Sequence, residues 1–283
     1  MQPSDITIIS VCYNSGSVLK EMLQSVHPDS PIVLVDNAST DTTPVKKLAQ
    51  DFGTTLILNE QNLGFGKACN QGAASAQTKL LLFLNPDARL SKSATKALLA
   101  AADKYKNAVA FNPRFVGPNG SQQFKRRSKL MPRSEWLPRG WPDEDREVSV
   151  LSGAALLVRK ADFIAVCGFD PNIFLYHEDD DLSRRLLKNR GPLVFIRDAE
   201  VTHLEGSSNV KSAVAAKFKA YHLARSAIYA SRKHGKPFPL TKTLLEATIN
   251  LLSIQNLFSA RKRAKNTGFM KGALSLVIGR NPQ

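Results

Sequence analysis

Cysteine is scarce in this chain. Cys12, Cys69 and Cys167 are the only three among 283 residues, odd in number and far apart, which excludes a disulfide framework and a metal knuckle and leaves reduced packing thiols. Long apolar runs are missing as well: "LLEATINLLSIQNLF" at 244–258 is interrupted by Glu246, Asn250, Gln255 and Asn256 and falls short of the roughly 20 apolar residues a membrane span needs. No basic region precedes the first short apolar run and no small-residue cleavage site follows it, so no secretory signal is expected and the protein is expected to be cytoplasmic. No GxxxxGK[ST] phosphate loop occurs, and Cys69 stands where a GxGxxG fingerprint starting at Gly64 requires glycine, which argues against a P-loop enzyme and a Rossmann dehydrogenase. Acidic residues are outnumbered, 24 against 39 Lys and Arg, for a net charge of +15. That excess calls for an acidic partner, and nucleic acid, anionic lipid and phosphorylated substrates all qualify.

With 43% hydrophobic residues there is material for one large core. The first hundred residues alternate β-rich runs at 6–13, 31–37, 54–59 and 79–85 with helical candidates near 16–26, 41–51, 64–76 and 91–104. This βαβα order predicts an α/β domain, a mostly parallel sheet covered by helices on both faces. Ligands then bind outside the carboxyl ends of the strands, which singles out Tyr13 and Asn14, Asp36 and Asn37, Asn59–Gly66, and Asn85–Asp87. After a strand in "AVAFNPRF", residues 113–150 carry Pro118, Pro132, Pro138, Pro142, both tryptophans and the basic run "FKRRSK", as a mobile loop would. Strands resume at "VLSGAALLV" and "PLVFIRDAEVTHL", and from about 211 a basic helical region runs to residue 283. A catalytic domain is thus expected over 1–210, with a first half at about 1–112 and a second at 151–210.

Several stretches carry chemistry. In "VDNASTD", Ser39 or Thr40 reads as a helix N-cap with Asp41 in the first turn, while Asp36, at a strand's end, suits a nucleobase imide or ribose hydroxyl. Gly64 and Gly66 open a helix, consistent either with a tight turn or with close approach of the backbone to an anion. In "LLLFLNPDARL", Asp87 fits an Asx-Pro turn or a hard divalent cation shared with phosphate oxygens. Glu178–Asp181 set four acids side by side. At a helix start they face the positive end of the dipole, with i,i+4 partners in Arg184 for Asp180 and Arg185 for Asp181. Four acids nevertheless exceed what capping needs, and neighbouring carboxylates raise one another's pKa, as a general base requires. His203 alone reads as readily as a structural residue as a ligand.

Together, "VCYNSG", "VDNASTD", "NLGFGKACNQG", "FLNPDARL", "SGAALLVRK", "GFDPNIFLYHEDDDLSRRL" and "HLEGSS" resemble the family 2 glycosyltransferases of GT-A fold, most of all the rhamnosyltransferase-like branch of bacterial surface-polysaccharide synthesis. The resemblance runs in order from residue 6 to about 210. It implies inverting, metal-dependent transfer of a sugar from a nucleotide diphosphate donor to an acceptor hydroxyl. On these motifs Asp87 and His203 hold Mg²⁺ or Mn²⁺, Glu178 and Asp179 form the catalytic pair with Asp179 as base, and Asp181 and Arg185 complete the helix motif behind it. Tyr13, Asn14, Asp36, Asn62, Gly64 and Asn70 fall in the donor-lining region, and Gly153 within "SGAALLVRK". Lys67 stands where the family often has a small residue and either touches the diphosphate or faces solvent; Asp180 replaces a commonly apolar position. The branch favours dTDP-L-rhamnose, with UDP-sugars compatible, and a glycan or polyprenyl-diphosphate-linked acceptor.

The basic tail carries Leu244, Ala247, Leu251, Ile254 and Phe258 at helical spacing beside "ARKRAK", a stripe for an anionic membrane surface, for the catalytic domain or for a second copy of the chain. A non-enzymatic nucleic-acid-binding protein accounts for the charge but leaves the ordered carboxylates unexplained, so no specific nucleic acid is expected. A nucleotidyltransferase would need a basic Gly-rich loop where "CYNSGS" stands.

Overall fold

The computed structural model describes residues 1–204 and 212–277, so Glu205–Ser208 of "HLEGSS" lie outside the described residues. Two compact units make up the chain. One holds Met1–Asp170 and the stretch from Asp179 through the last strand; the other holds Pro171–Glu178 and the C-terminal helices.

In the first unit the expected alternation appears as β1 (Ile6–Cys12), α1 (Gly16–Ser25), β2 (Ile32–Asp36), α2 (Thr43–Asp51), β3 (Thr55–Leu58), α3 (Phe65–Ser75), β4 (Leu80–Leu84), the short β5 (Ala88–Leu90) and α4 (Ala94–Lys104). Strands β3, β2, β1 and β4 lie side by side and parallel. A strand with neighbours on both edges and helices on both faces is largely apolar, and "ITIISVC" and "LLLFL" are buried at every position, Thr7 and Ser10 being the polar residues among them. The rest of the unit is β6 (Ala110–Val116), β7 (Gln122–Gln123), β8 (Arg146–Val148), β9 (Ala155–Arg159), α5 (Lys160–Ala165), α6 (Glu178–Asn189) and β10 (Leu193–His203). The full order is β3-β2-β1-β4-β9-β6-β10-β5, with β7 on β6 and β8 on β10. One face of the sheet packs Leu19, Met22, Val45 and Leu98 from α1, α2 and α4; the other packs Ala68, Phe163 and Leu182 from α3, α5 and α6. Within 113–150, expected as a loop, β7 and β8 join the sheet by antiparallel pairing.

The direction of β9 positions the site. It runs antiparallel to both β4 and β6, with Ala155 opposite Leu84. Its amino end, preceded by Gly153, therefore lies at the edge where β1, β2 and β4 have their carboxyl ends. Strand β10 runs parallel to β6, so His203 ends at the same edge, and β5 pairs antiparallel with it, His203 opposite Ala88.

The second unit contains α7 (Ala213–Lys233), α8 (Pro239–Leu251), the single-turn α9 (Gln255–Phe258) and α10 (Ala260–Ser275). Ala224, Ala247, Phe269 and Ala273 form its core. Gly268 and Gly272, one helical turn apart on α10, let it lie directly on α7, where an added methyl would collide with the carbonyls of Lys217 and Tyr221. The apolar stripe expected along the tail divides. Ala247 is fully buried and Leu244 packs beside it, whereas Leu251, Ile254 and Phe258 are exposed together with Leu245, Ile249 and Leu252. The helix ends at Leu251, so residues beyond it no longer follow its phase.

Candidate active site

Each candidate side chain is placed by the end of a strand or the start of a helix. Asp36 closes β2, and its Oδ1 accepts the Ser39 amide at 2.8 Å. Its Oδ2 is buried with no hydrogen-bond partner among the described residues. A buried polar atom without a partner costs about 1–3 kcal/mol, which marks this oxygen as a place for a ligand's donor. Asp36 also lies near Cys12, whose thiol is pushed far up by burial and then by the carboxylate; Cys12 is an inert packing residue.

The neighbouring loops are locked to one another. Asn14, at φ +54°, donates its amide to Ser39 Oγ at 2.8 Å and accepts the Thr40 amide at 2.9 Å. Ser39 thus serves Asn14 and does not cap α2. Neither does Thr40: with Pro44 in its first turn the helix begins at Thr43, after Thr42, since proline fits where the amide is unneeded. Asp41 accepts the Thr43 amide, which holds its carboxyl below the usual range. Asn37 Nδ2 donates to Asn62 Oδ1 at 2.9 Å and its Oδ1 accepts the Leu63 amide at 3.0 Å. Asn62 in turn accepts the amide of Gly64, which stands at φ +87° before α3, a conformation open to glycine. Asn70 clamps the backbone of Phe169, donating to its carbonyl at 2.8 Å and accepting its amide at 2.9 Å. Tyr13 and Lys67 are exposed at this edge.

Asp87 is buried between β4 and β5, and its Oδ1 lies 3.5 Å from His203 Nε2. The backbone explains the meeting: the β5–β10 register sets His203 opposite Ala88, and the Leu204 amide donates to the Asp87 carbonyl at 3.1 Å. One carboxylate and one imidazole suit a divalent cation of the magnesium or manganese kind that takes its remaining ligands from phosphate oxygens and water. No group of three His, Cys, Asp or Glu that could hold a metal occurs among the described residues, so such an ion would depend on the ligand's own oxygens.

The acidic run forms the first turn of α6 and its members have separate fates. Asp179 Oδ2 accepts the Gly153 amide at 2.8 Å, and Oδ1 accepts the Asp180 amide at 2.8 Å. Ser183, one turn on, donates to the Asp179 carbonyl and accepts the Leu151 amide, fixing the helix start against the segment before β9. Asp181 is fully buried and paired with Arg185 at 2.8 Å, which also donates to the Val166 carbonyl; this is one of the two i,i+4 pairs that the sequence suggested. The other is not formed. Arg184 reaches Glu135 at 2.9 Å, and Asp180 meets Lys125 at 2.8 Å, because the 117–147 segment supplies partners that compete with the neighbour on the helix. Lys125 Nζ also lies 2.6 Å from Asp179 Oδ2. Burial alone would lower its pKa, but Asp179 and Asp180 outweigh that and hold the ammonium far above its ordinary value. Glu178 is buried as the first residue of α6. Just before it, Tyr176 and His177 both take positive φ, +68° and +67°, strain of the kind stored at functional turns.

This edge, with its loose carboxylate oxygen, its Asp–His pair and its backbone-held Asp179, agrees with the outcome of comparison with known proteins. Residues 7–166 match the model of Glycosyl transferase family 2. The chain belongs to that family. Among curated relatives of this glycosyltransferase is the N-acetylglucosaminyl-diphospho-decaprenol L-rhamnosyltransferase of Mycobacterium tuberculosis, 29% identical over 98% of this chain and 99% of the relative. Rhamnosyltransferase WbbL of Escherichia coli is 24% identical over 81% of this chain and 93% of its own length. S. aureus TarS 1-349 shares the GT-A fold, with a TM-score of 0.58 and 18% identity over 99% of this chain and 93% of that one. Lys125, in contact with the candidate Asp179, was missed by sequence reasoning: its run "FKRRSK" read only as basic charge, and no spacing links residue 125 to residue 179.

Proposed function

We propose that this family 2 glycosyltransferase transfers L-rhamnose from dTDP-L-rhamnose, with inversion, to a sugar hydroxyl of a polyprenyl-diphosphate-linked acceptor of the N-acetylglucosaminyl kind. The observation that carries the reading is the convergence of Asp36, Asp87, His203 and Asp179 at one sheet edge. The choice of sugar and acceptor is supported by likeness to the mycobacterial relative along nearly the whole chain.

In this reading Asp36 Oδ2 accepts a hydrogen bond from the donor's base or ribose, and the Asn37–Asn62–Gly64 network holds the adjoining loop open for it. Asp87 and His203 would hold a divalent cation, whose positive charge, when it is bound, would offset the negative charge of the departing diphosphate. Asp179 takes the proton of the acceptor hydroxyl as that oxygen bonds to the anomeric carbon. The bond from that carbon to the diphosphate oxygen breaks on the opposite face and its electron pair leaves with the diphosphate. The Gly153 amide and the α6 N-terminus orient the carboxylate. Glu178 keeps the place beside it that the family motif gives.

No described helix is long and apolar enough to cross a membrane. The second unit instead exposes Leu245, Ile249, Leu252, Ile254 and Phe258 next in sequence to the exposed cations Arg261, Lys262 and Lys265. We assign this surface to an anionic membrane carrying the lipid-linked acceptor, each exposed cation near the headgroups contributing about 1 kcal/mol. Flotation with phosphatidylglycerol vesicles tests it: loss of binding in Ile249→Glu/Phe258→Glu is expected, and unchanged flotation, or a dimer in light scattering that the double variant dissolves, would overturn it. Transfer itself is tested with dTDP-L-rhamnose and UDP-GlcNAc offered separately with a short-chain GlcNAc-diphosphoprenol. Product from the rhamnosyl donor alone is expected; product only from UDP-GlcNAc would refute the donor.

A further inference from the structure

A general base wedged between two acids raises a difficulty that the rest of the site does not resolve. Asp179 and Asp180 are consecutive, both have carboxylates at the start of α6, and Glu178 precedes them. Two ionised carboxylates so close repel each other and favour taking up a proton, which would disable a base at neutral pH. The 117–147 segment brings a cation to both. Lys125 Nζ lies 2.6 Å from Asp179 Oδ2 and 2.8 Å from Asp180 Oδ1, bridging the two. Among the described residues, the directed contact that the other elements make with the Asp179 carboxylate is the uncharged Gly153 amide.

The bridge is held in place by its surroundings. Phe124, beside Lys125, packs edge-on against Phe195 of β10 with ring centroids 5.3 Å apart. Arg126 donates through Nη1 to the Leu137 carbonyl, and the Leu137 amide returns a bond to the Arg126 carbonyl. A second ion pair of reversed polarity, Glu135 on the segment to Arg184 on α6, stands one turn along the helix. Asp180 and Arg184 are spaced to pair with each other, yet each is drawn to the segment.

We propose that Lys125 is a positioning residue for transfer: its ammonium bridges the Asp179 and Asp180 carboxylates and turns Asp179 Oδ2 toward Gly153, so that the base is set in place from the 117–147 segment. The proposal rests on Asp179 being the base. Its ammonium remains charged throughout the working pH range, held there by the same two carboxylates against the effect of burial.

The test is the pH dependence of kcat/KM for transfer from dTDP-L-rhamnose to short-chain GlcNAc-diphosphoprenol in wild type, Lys125→Met and Lys125→Arg. With the cation gone, one carboxylate of the pair takes a proton more readily, so the acid limb of the Lys125→Met profile should move to higher pH by about one unit or more. Lys125→Arg should restore the wild-type limb. Superimposed wild-type and Lys125→Met profiles overturn the proposal, as does a Lys125→Arg as impaired as Lys125→Met at every pH. Should Lys125→Met fail to fold, Lys125→Gln carries the same comparison. A readout independent of turnover is the ¹³C-carboxyl NMR titration of aspartate-labelled protein, assigned with Asp179→Asn and Asp180→Asn: the pair should take up its first proton at higher pH in Lys125→Met, and an unchanged titration refutes the bridge. Wild-type transfer that survives in Asp179→Asn would refute the base assignment instead, whatever the Lys125 variants do.

Discussion

Asp36→Asn separates a ligand-binding role from a structural one, because the two predict opposite signs. The substitution is nearly isosteric. Asparagine's Oδ1 can keep the bond from the Ser39 amide, while the oxygen that has no partner becomes an amide nitrogen. In the unliganded protein this exchanges a buried, half-satisfied carboxylate for a neutral group, so stability should hold or rise by up to about 1 kcal/mol, given that an unsatisfied buried polar atom costs about 1–3 kcal/mol. With nucleotide bound, the carboxylate's hydrogen bond is lost and an N–H is turned toward a donor. A hydrogen bond to a charged group contributes about 1.5–3 kcal/mol, which corresponds to roughly ten- to a hundredfold weaker binding. Calorimetric titration of dTDP, UDP and GDP with Mn²⁺, repeated in excess EDTA, reads the affinity, and thermal unfolding of the free protein reads the stability. Affinity within twofold of wild type, or an unliganded melting temperature lowered by several degrees, would show that Asp36 is a turn residue and that its second oxygen waits for nothing.

Asp179→Asn should leave nucleotide affinity close to wild type and abolish transfer, as judged by calorimetry and product formation on one preparation; weakened nucleotide binding with an intact fold would count against its role as base. Asp87→Ala and His203→Ala should each weaken the Mn²⁺-dependent part of nucleotide binding and leave the EDTA-insensitive part alone. Asp181→Asn breaks the pair between a fully buried carboxylate and the part-buried Arg185 and should cost about 3 kcal/mol in denaturant unfolding, the lower end for a buried pair. His222, stacked on Phe174 with centroids 4.1 Å apart, has its pKa lowered to about 4 by burial and then by Arg225. The unfolded chain therefore binds the proton first as pH falls, and stability should be lost between about pH 6.5 and 4. After discounting for the ring's partial exposure the loss is on the order of 1 kcal/mol, and His222→Gln should flatten the slope of melting temperature against pH over that window.

What the sequence disclosed and what it hid follow from range. Strands β1 to β4 and the helices among them were legible because apolar runs alternate with amphipathic ones; strand-end position directed attention to Asp36 and Asp87, and the acidic run at a helix start, with the family motif, to Asp179. Strand direction has no such signature: nothing in "AALLVR" tells that β9 runs against its neighbours, yet this places Gly153 on Asp179. The Asp181–Arg185 pair was legible as a local spacing, whereas Asp180 and Arg184 found partners at residues 125 and 135, and a distant partner overrides a local rule without leaving a periodicity. The tail's apolar stripe was misphased for a related reason, since spacing shows a face but not where the helix ends.

The reversed β9 has a consequence for how such a sheet can diversify. Apart from the Asn70–Phe169 clamp and the Asp87–His203 pair, the described hydrogen bonds around Asp36 come from residues before 72, and the described contacts that hold Asp179 come from 125 onward. Between β4 and β9 the two halves are joined by main-chain bonds, which are indifferent to side-chain identity. Donor recognition and base control can therefore drift separately in sequence, and a chimera joined within 85–110 should inherit the nucleotide preference of its first parent and the pH response of its second.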